Sequence, residues 1–329
     1  MNERTYSRKP NFLWALIVSL FLAYFSGWRE VGVDRENYLK MYQSVIISDD
    51  WAVKLAYAND VMFLLIIAVS NYFSDDPKLA FFIICLSSVA TKYFAIRRAA
   101  PGHALGFILL YAVFLSPGLE FAAMRGALSI GFLMLALSCR DKKLPFVIFC
   151  LSAVASHVSV VLALIFVVDR VNQLLTKNKL IYAFVVIGVS SFTSGLLNLF
   201  PRGAIYEYNQ GTVLAYSLPL ATLFIAILIF HRLDELCIQH PADSGYRFIA
   251  SLRPPVYGLI AIAFGISAEV VTAATRYLEI SWCLMLLASV VLFNKSPVNF
   301  LGGVLLLVFL SYVNVVRLTW LFIVYPLFG

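Results

Sequence analysis

From residue 11 onward the chain alternates long apolar runs with short polar interruptions. A helix that crosses a bilayer needs about 20 mostly apolar residues, with a range of roughly 17–25. Candidate runs lie at 11–28, 55–73, 79–96, 104–118, 120–138, 144–168, 180–199, 212–231, 254–275, 277–293 and 298–325. They predict about eleven spanning helices. The fold class is therefore all-α: a polytopic integral membrane protein, one transmembrane helical domain over 1–329. The last run is long enough to tilt, or to form one span and a short interfacial helix. Three polar stretches exceed a turn, at 29–54, 200–211 and 232–253. In a membrane enzyme with a large substrate they would be walls and lids; otherwise they only connect helices. There is no fixed-period repeat, and the two halves lack the matched pair of broken segments that marks many secondary transporters.

Composition sharpens this reading. Of 329 residues, 61% are hydrophobic and 13% charged, against roughly 45–50% and about 25% in soluble proteins. The polar side chains are too few to cover a water-facing globule, which excludes a soluble enzyme, a disordered tail or a disulfide scaffold. Net charge is +7, but the basic residues fall in short clusters between apolar runs. That suits anchoring to anionic membrane lipids and not binding to nucleic acid. Arg4, Arg8 and Lys9 before the first run imitate a signal sequence, but the run ends in Tyr24-Phe25-Ser26-Gly27-Trp28 without a small-residue cleavage site. An uncleaved first helix is expected. Cys85, Cys139, Cys150, Cys237 and Cys283 form no C-x-x-C pair and read as small core residues.

Topology and charge conflict. Alternation from a cytoplasmic N-terminus places 29–54 outside, together with Arg97-Arg98 and Arg140-Asp141-Lys142-Lys143, which the positive-inside rule disfavours. A re-entrant segment would resolve this, and 104–138, split by Ser116-Pro117-Gly118, is the place to expect it.

Ionisable residues inside apolar runs cost about 2.5–3.5 kcal/mol at a helix centre and usually face a partner or a cavity. These are Asp60, Lys92, Arg125, His157, Glu269, Arg276, Glu279 and Arg317. Cations outnumber acids among them, so internal pairing leaves a surplus that an anionic ligand would neutralise. Lys92 and Arg317 lie near helix ends, where snorkelling to headgroups is the simpler reading. Arg276 and Glu279, at i and i+3, suit a pair on one helix face. Asp60 suits a first-turn helix charge. Arg125 is five residues from Glu120, too far around a regular helix to pair, and Gly126, Ser129 and Ala136 permit close helix contact beside it. His157, in Ala155-Ser156-His157-Val158-Ser159, is either a satisfied core histidine or a proton-handling group. Trp28, Arg29, Glu30, Asp34, Arg35 and Tyr38 cluster at a membrane exit, as a solvated charge run or as a sugar- or phosphate-binding surface. No soluble-enzyme motif is present, and neither Asp49-Asp50 nor Asp75-Asp76 is assigned a metal. No cofactor is expected.

Several segments together resemble a known family. Gly32-Val33-Asp34 through Tyr38 is similar to a G-x-D-x-x-x-Y pattern. Met124-Arg125-Gly126-Ala127-Leu128-Ser129 is similar to (I/M)-R-(Q/G)-x-(L/I)-(A/S). The basic turn Asp141-Lys142-Lys143 follows, and then Ala155-Ser156-His157-Val158-Ser159 resembles A-x-x-H-x-S. Thr275-Arg276-Tyr277-Leu278-Glu279 resembles a shortened R-x-x-x-Y-F-E element, and Asn59-Asp60-Val61 stands where the family often carries Glu-Pro. The whole resembles the EpsG family of bacterial polysaccharide polymerases, a branch of the Wzy-type O-antigen and capsule polymerases.

The resemblance implies a GT-C-like glycosyltransferase of the bacterial inner membrane. Its partners would be undecaprenyl-pyrophosphate-linked oligosaccharides, with a flippase and a chain-length regulator as further candidates. Such enzymes move a growing glycan from one lipid carrier to the non-reducing end of another repeat unit. Lipid pyrophosphate leaves readily, so the chemistry needs positive charge more than a strong acid. Arginine suits this because it stays charged and grips phosphate with two donors. Arg125 and Arg276 are the expected pyrophosphate ligands, with Arg35 or Arg29 in support, and His157 or Asp34 is the weak base. Tyr38, Tyr42, Tyr206 and Tyr208 suit sugar stacking or interfacial anchoring. Asp60 and Glu279 complete the expected substrate contacts. A flippase for the same lipids and a membrane acyltransferase are the rival functions. The scheme presumes guanidinium groups that no carboxylate already neutralises.

Overall fold

The computed structural model describes residues 8–29, 34–58, 60–168, 213–241, 243–267, 271–293 and 296–324, with 185, 187 and 188. Within them every regular element is helical. The expected span 180–199, the loop 200–211 with Tyr206 and Tyr208, Glu269 and the side chain of Arg317 lie outside the described residues.

The chain divides into two compact units, Met1–Val158 with Phe309–Gly329, and Ser159–Val308. The first contains α1 (Arg8–Trp28), α2 (Arg35–Ile47), α3 (Trp51–Ala58), α4 (Val61–Phe73), α5 (Pro77–Ala99), α6 (Ala104–Phe114), α7 (Met124–Ser138) and α8 (Lys143–Ser156). Helix α5 lies at its middle, packed on α1, α4, α6 and α7, and α7 packs in turn on α8. The α5–α7 approach is close because Gly131 has no side chain: a Cβ there would run into Thr91 Oγ1 and the Ser88 carbonyl. Gly27 does the same for α1, 2.8 Å from the Lys78 carbonyl at its Cβ position. Small residues at such crossings are how helices gain packing in lipid, where the hydrophobic drive between them is absent.

The second unit contains α9 (Val160–Val167), α10 (Val213–Ile229), α11 (Leu233–Gln239), α12 (Ser244–Ile266), α13 (Val271–Leu292) and the first part of α14 (Pro297–Val324). Helix α12 packs on α9, α10, α11 and α13. Phe166 occupies the space that the missing side chain of Gly258 leaves, and the buried Trp282 donates to Thr222 Oγ1 at 3.0 Å.

Among the described residues, five helices are long and apolar enough to cross a membrane, or up to six if the bent pair α3–α4 is one span. The expectation of about eleven is therefore not met by single helices among the described residues. Run 55–73 is broken between α3 and α4, which meet at 114°. Run 144–168 is broken at His157, and residues 115–123 separate α6 from α7 by irregular turns. Two expected loops are largely helical. Stretch 29–54 holds α2, whose Tyr38, Tyr42 and Val45 repeat at helical spacing and enter the core. Stretch 232–253 holds α11 and the start of α12, where Asp243 caps the helix by accepting from the Gly245 N–H at 2.8 Å. The final run is one helix of 28 residues.

Candidate active site

Two interruptions of helical backbone and the first turn of α7 bring three ionisable side chains together. In apolar surroundings broken backbone persists only where protein buries it or a water-filled cavity is lined by it. Asp60 stands in the α3–α4 break with extended backbone, φ −136° and ψ 131°. It occupies the N-cap position of α4 but makes no side-chain cap bond. Its Oδ2 instead accepts from Arg125 Nη1 at 2.6 Å. Arg125, the second residue of α7, also donates from Nη1 to the Ala58 carbonyl at 3.1 Å, closing the last turn of α3. His157 ends α8 in extended backbone, φ −168° and ψ 127°. Its Nδ1 lies 3.4 Å from the same Asp60 oxygen.

One carboxylate thus serves two cationic or potentially cationic groups. Exposure rises across the cluster, from 4% for the Asp60 side chain to 16% for Arg125 and 26% for His157, so the imidazole is its open member. The tautomer with Nδ1 protonated gives the long hydrogen bond to Asp60 and leaves Nε2 available. Tyr38 and Phe63 wall the guanidinium, with ring centres 5.6 and 5.7 Å from its carbon. The core formed by Tyr38, Tyr42, Phe63, Phe81, Met124 and Leu128 lies beneath. Gly126 faces His157 with room to spare: its Cβ position is 3.8 Å from the ring. Ser129 ties α7 to α8 by donating to the Ala153 carbonyl at 2.9 Å.

A second ionic group lies at the α6–α7 break. Lys92 and Glu120 are fully buried and 3.2 Å apart. Glu120 Oε1 also accepts from Ser88 and from Tyr111, each at 2.7 Å. Lys92 donates to Ser88 Oγ and to the Ala127 carbonyl, at 2.5 and 2.8 Å. Snorkelling of Lys92 is therefore corrected, since its ammonium turns inward to a carboxylate that the apolar-run reading had not counted. The signal was present: Glu120 directly follows the helix-breaking Ser116-Pro117-Gly118. Glu120 and Arg125 do not pair, as their spacing indicated.

Arg276 and Glu279 form the i, i+3 pair at 3.0 Å on α13, in the second unit. The surplus-charge argument consequently fails as first framed. Lys92, Arg125 and Arg276 each hold an acid. The first-turn reading of Asp60 is also replaced, because its carboxylate serves Arg125 and His157. Of the loop residues, Asp34 is the N-cap residue of α2 and makes no side-chain cap bond there, while Arg35 starts the helix. Tyr38 is buried between Phe63 and Phe81.

Among the described residues, Arg29 Nη1 and Nη2 are buried without a hydrogen-bond partner, and the guanidinium lies 5.7 Å from the Phe121 ring centre. Burial, the largest influence, lowers its pKa to about 10; Tyr38, Cys85, Arg35 and Asp34 are the polar neighbours felt there. It remains charged at neutral pH.

The sequence model of the EpsG family matches residues 12–327. The chain belongs to the EpsG family. The match spans the three helix breaks, so the Asp60–Arg125–His157 cluster lies inside the region that defines this family of exopolysaccharide and Wzy-like polymerases. No curated protein and no solved structure matches this EpsG chain. It is a multi-pass membrane protein of polysaccharide biosynthesis.

Proposed function

We propose that this EpsG-family protein is a GT-C-like glycosyltransferase of the bacterial inner membrane. It transfers a growing glycan from undecaprenyl pyrophosphate to the non-reducing end of a lipid-linked repeat unit. The observation carrying this reading is the shared Asp60 oxygen, which holds Arg125 and His157 together at two helix breaks. A flippase needs a cationic path but no positioned base, and the Asp60–His157 arrangement favours the transferase.

In the transfer, the acceptor hydroxyl attacks the anomeric carbon of the donor glycan. The bond from that carbon to the pyrophosphate oxygen breaks, and its electron pair leaves with the lipid diphosphate. His157 Nε2 takes the hydroxyl proton. Asp60 orients the ring through Nδ1 and steadies the imidazolium, the role a buried carboxylate plays beside a catalytic histidine. Arg125 fixes Asp60 in place, donating to its carboxylate and to the Ala58 carbonyl. Asp34 and Arg35 at the start of α2 are proposed as substrate contacts, while the buried Tyr38 backs the site by walling Arg125. Arg276 and Glu279, paired on α13, are proposed as substrate-binding residues in their own right. A flippase would deliver both substrates, and a chain-length regulator would set when transfer stops.

The test is glycan length in cells lacking the gene and supplied with variants. His157→Ala is expected to lower transfer by about 10²–10⁴-fold and leave single repeat units outside the membrane. Normal polymer from His157→Ala refutes the assignment. Repeat units trapped inside would identify a flippase instead.

A further inference from the structure

Helix α7 starts without a side-chain cap, because its N-cap residue is Ala123. Arg125 lies in the first turn of this uncapped end, yet it reaches Asp60 at 2.6 Å and the Ala58 carbonyl at 3.1 Å. Two fully buried side chains fix the helix start instead. Lys92 on α5 donates to the Ala127 carbonyl at 2.8 Å. That carbonyl belongs to the residue two beyond Arg125, about 3 Å along the axis. Glu120, in the irregular segment leading into α7, accepts from Ser88, Lys92 and Tyr111 through one oxygen. Its backbone carbonyl accepts from Ser26 Oγ at 2.9 Å. The segment before α7 is thereby tied to α1, α5 and α6, and the first turn of α7 to α5.

These bonds act along the helix axis, where apolar packing alone leaves a helix free to slide. One turn beyond Ala127, Gly131 seats against the Ser88 carbonyl and Thr91, so α7 is held on α5 at two successive turns. Helix α5 also packs on α4, whose N-cap residue is Asp60, and α7 packs on α8, which ends at His157. Helix α5 is thus the frame against which Asp60 and Arg125 are both set. A slip of α7 by about 1 Å would stretch the Arg125–Asp60 bond beyond its range, and misplacements of that size cost roughly 10²-fold in rate. Apolar residues can often fill the volume of a buried ion pair with no loss of stability. They cannot replace a directed bond to the Ala127 carbonyl.

We infer that Lys92 and Glu120 are positioning residues for glycosyl transfer, holding the first turn of α7 at the depth where Arg125 meets Asp60 and His157. This assignment rests on the transferase reading above and deepens it. The pair acts through α7 and not by touching substrate, so it sets the rate of transfer more than the binding of the lipid-linked glycan.

The experiment compares the purified full-length protein in nanodiscs with its Lys92→Met/Glu120→Leu variant, whose melting temperature is expected to stay near that of the wild type. Transfer is followed with lipid-linked repeat units as substrate. The variant is expected to lose about 10²-fold in kcat, with KM within about two-fold of wild type. A second readout needs no activity: the nitrogen NMR resonances of the His157 ring, identified among the four histidines by their loss in His157→Ala. They should move in the Lys92→Met/Glu120→Leu variant although neither substitution is on the histidine's own helix. Tyr111→Phe, which removes one donor to Glu120 and almost no volume, carries both measurements if the double variant does not fold, with an expected loss of about 3–10-fold in kcat. The assignment is overturned by wild-type kcat in the folded variant, by a loss confined to KM, or by unmoved His157 resonances. If the resonances move but the wild type makes no polymer, the transferase reading fails and the positioning of His157 stands. If polymer forms at the wild-type rate in the folded variant, only the positioning role fails.

Discussion

Asp60 Oδ2 is the atom on which the cluster depends, because it accepts from Arg125 and His157 at once. Asp60→Asn retains an accepting oxygen but not the charge that stabilises an imidazolium. Its expected effect is a loss of at least about 10²-fold in transfer rate, measured by polymer yield with the amount of folded protein matched. Arg125→Lys should insert normally yet lose most activity, because a point charge replaces a fork that bonds both Asp60 and the Ala58 carbonyl. Full activity in the lysine variant would mean that only a cation is required. Lys92 and Glu120 make a different prediction. Lys92→Met strands a buried carboxylate and should cost about 3–5 kcal/mol, whereas Lys92→Met combined with Glu120→Leu should recover most of it. Thermal melting in detergent checks the order of the three proteins. At this scale the sequence was only partly legible. Arg125 and His157 stood out as charges in apolar runs, and the i, i+3 spacing of Arg276 and Glu279 indicated their pairing. The partner of Arg125 was hidden, since Asp60 is 65 residues away in the chain. Spacing along one helix carries no information about such a contact.

Apolar length located most helices, and the breaks within them were the harder part. His157, Val158 and Ser159 separate α8 from α9, yet the run from 144 to 168 reads as uninterrupted because the neighbours of His157 are small or apolar. The break at 115–123 was signalled by Ser116-Pro117-Gly118, and that at Asp60 only by a single charge. The breaks at Asp60 and His157 matter because each frees its residue from regular helix geometry, and both then face Arg125 in the first turn of α7. Packing around them makes a second test possible. Gly131→Leu should destabilise the protein by forcing α5 and α7 apart, while Gly126→Ala should fold normally, its Cβ meeting nothing closer than 3.8 Å. Equal melting temperatures for the two variants would contradict the close α5–α7 crossing.

For the molecule as a whole, the family match and the multi-pass helical fold agree with the composition, which left no route to a soluble structure. Among the described residues the cation surplus inferred from counting is not seen, because Glu120 escaped the count and Lys92, Arg125 and Arg276 each hold an acid. Among the described residues, Arg29 Nη1 and Nη2 are buried without a hydrogen-bond partner, in a loop-proximal position where arginine is ordinarily taken as solvated. The central claim is that Asp60, Arg125 and His157 form a glycosyl-transfer centre. Its most direct test supplies the purified protein with lipid-linked repeat units extracted from a strain lacking the gene, without any acyl donor or nucleotide. A ladder of lengthened glycans from the wild type and none from folded His157→Ala or Asp60→Asn is the predicted result. A ladder from either variant, or no lengthening by the wild type unless an acyl donor is added, would contradict it.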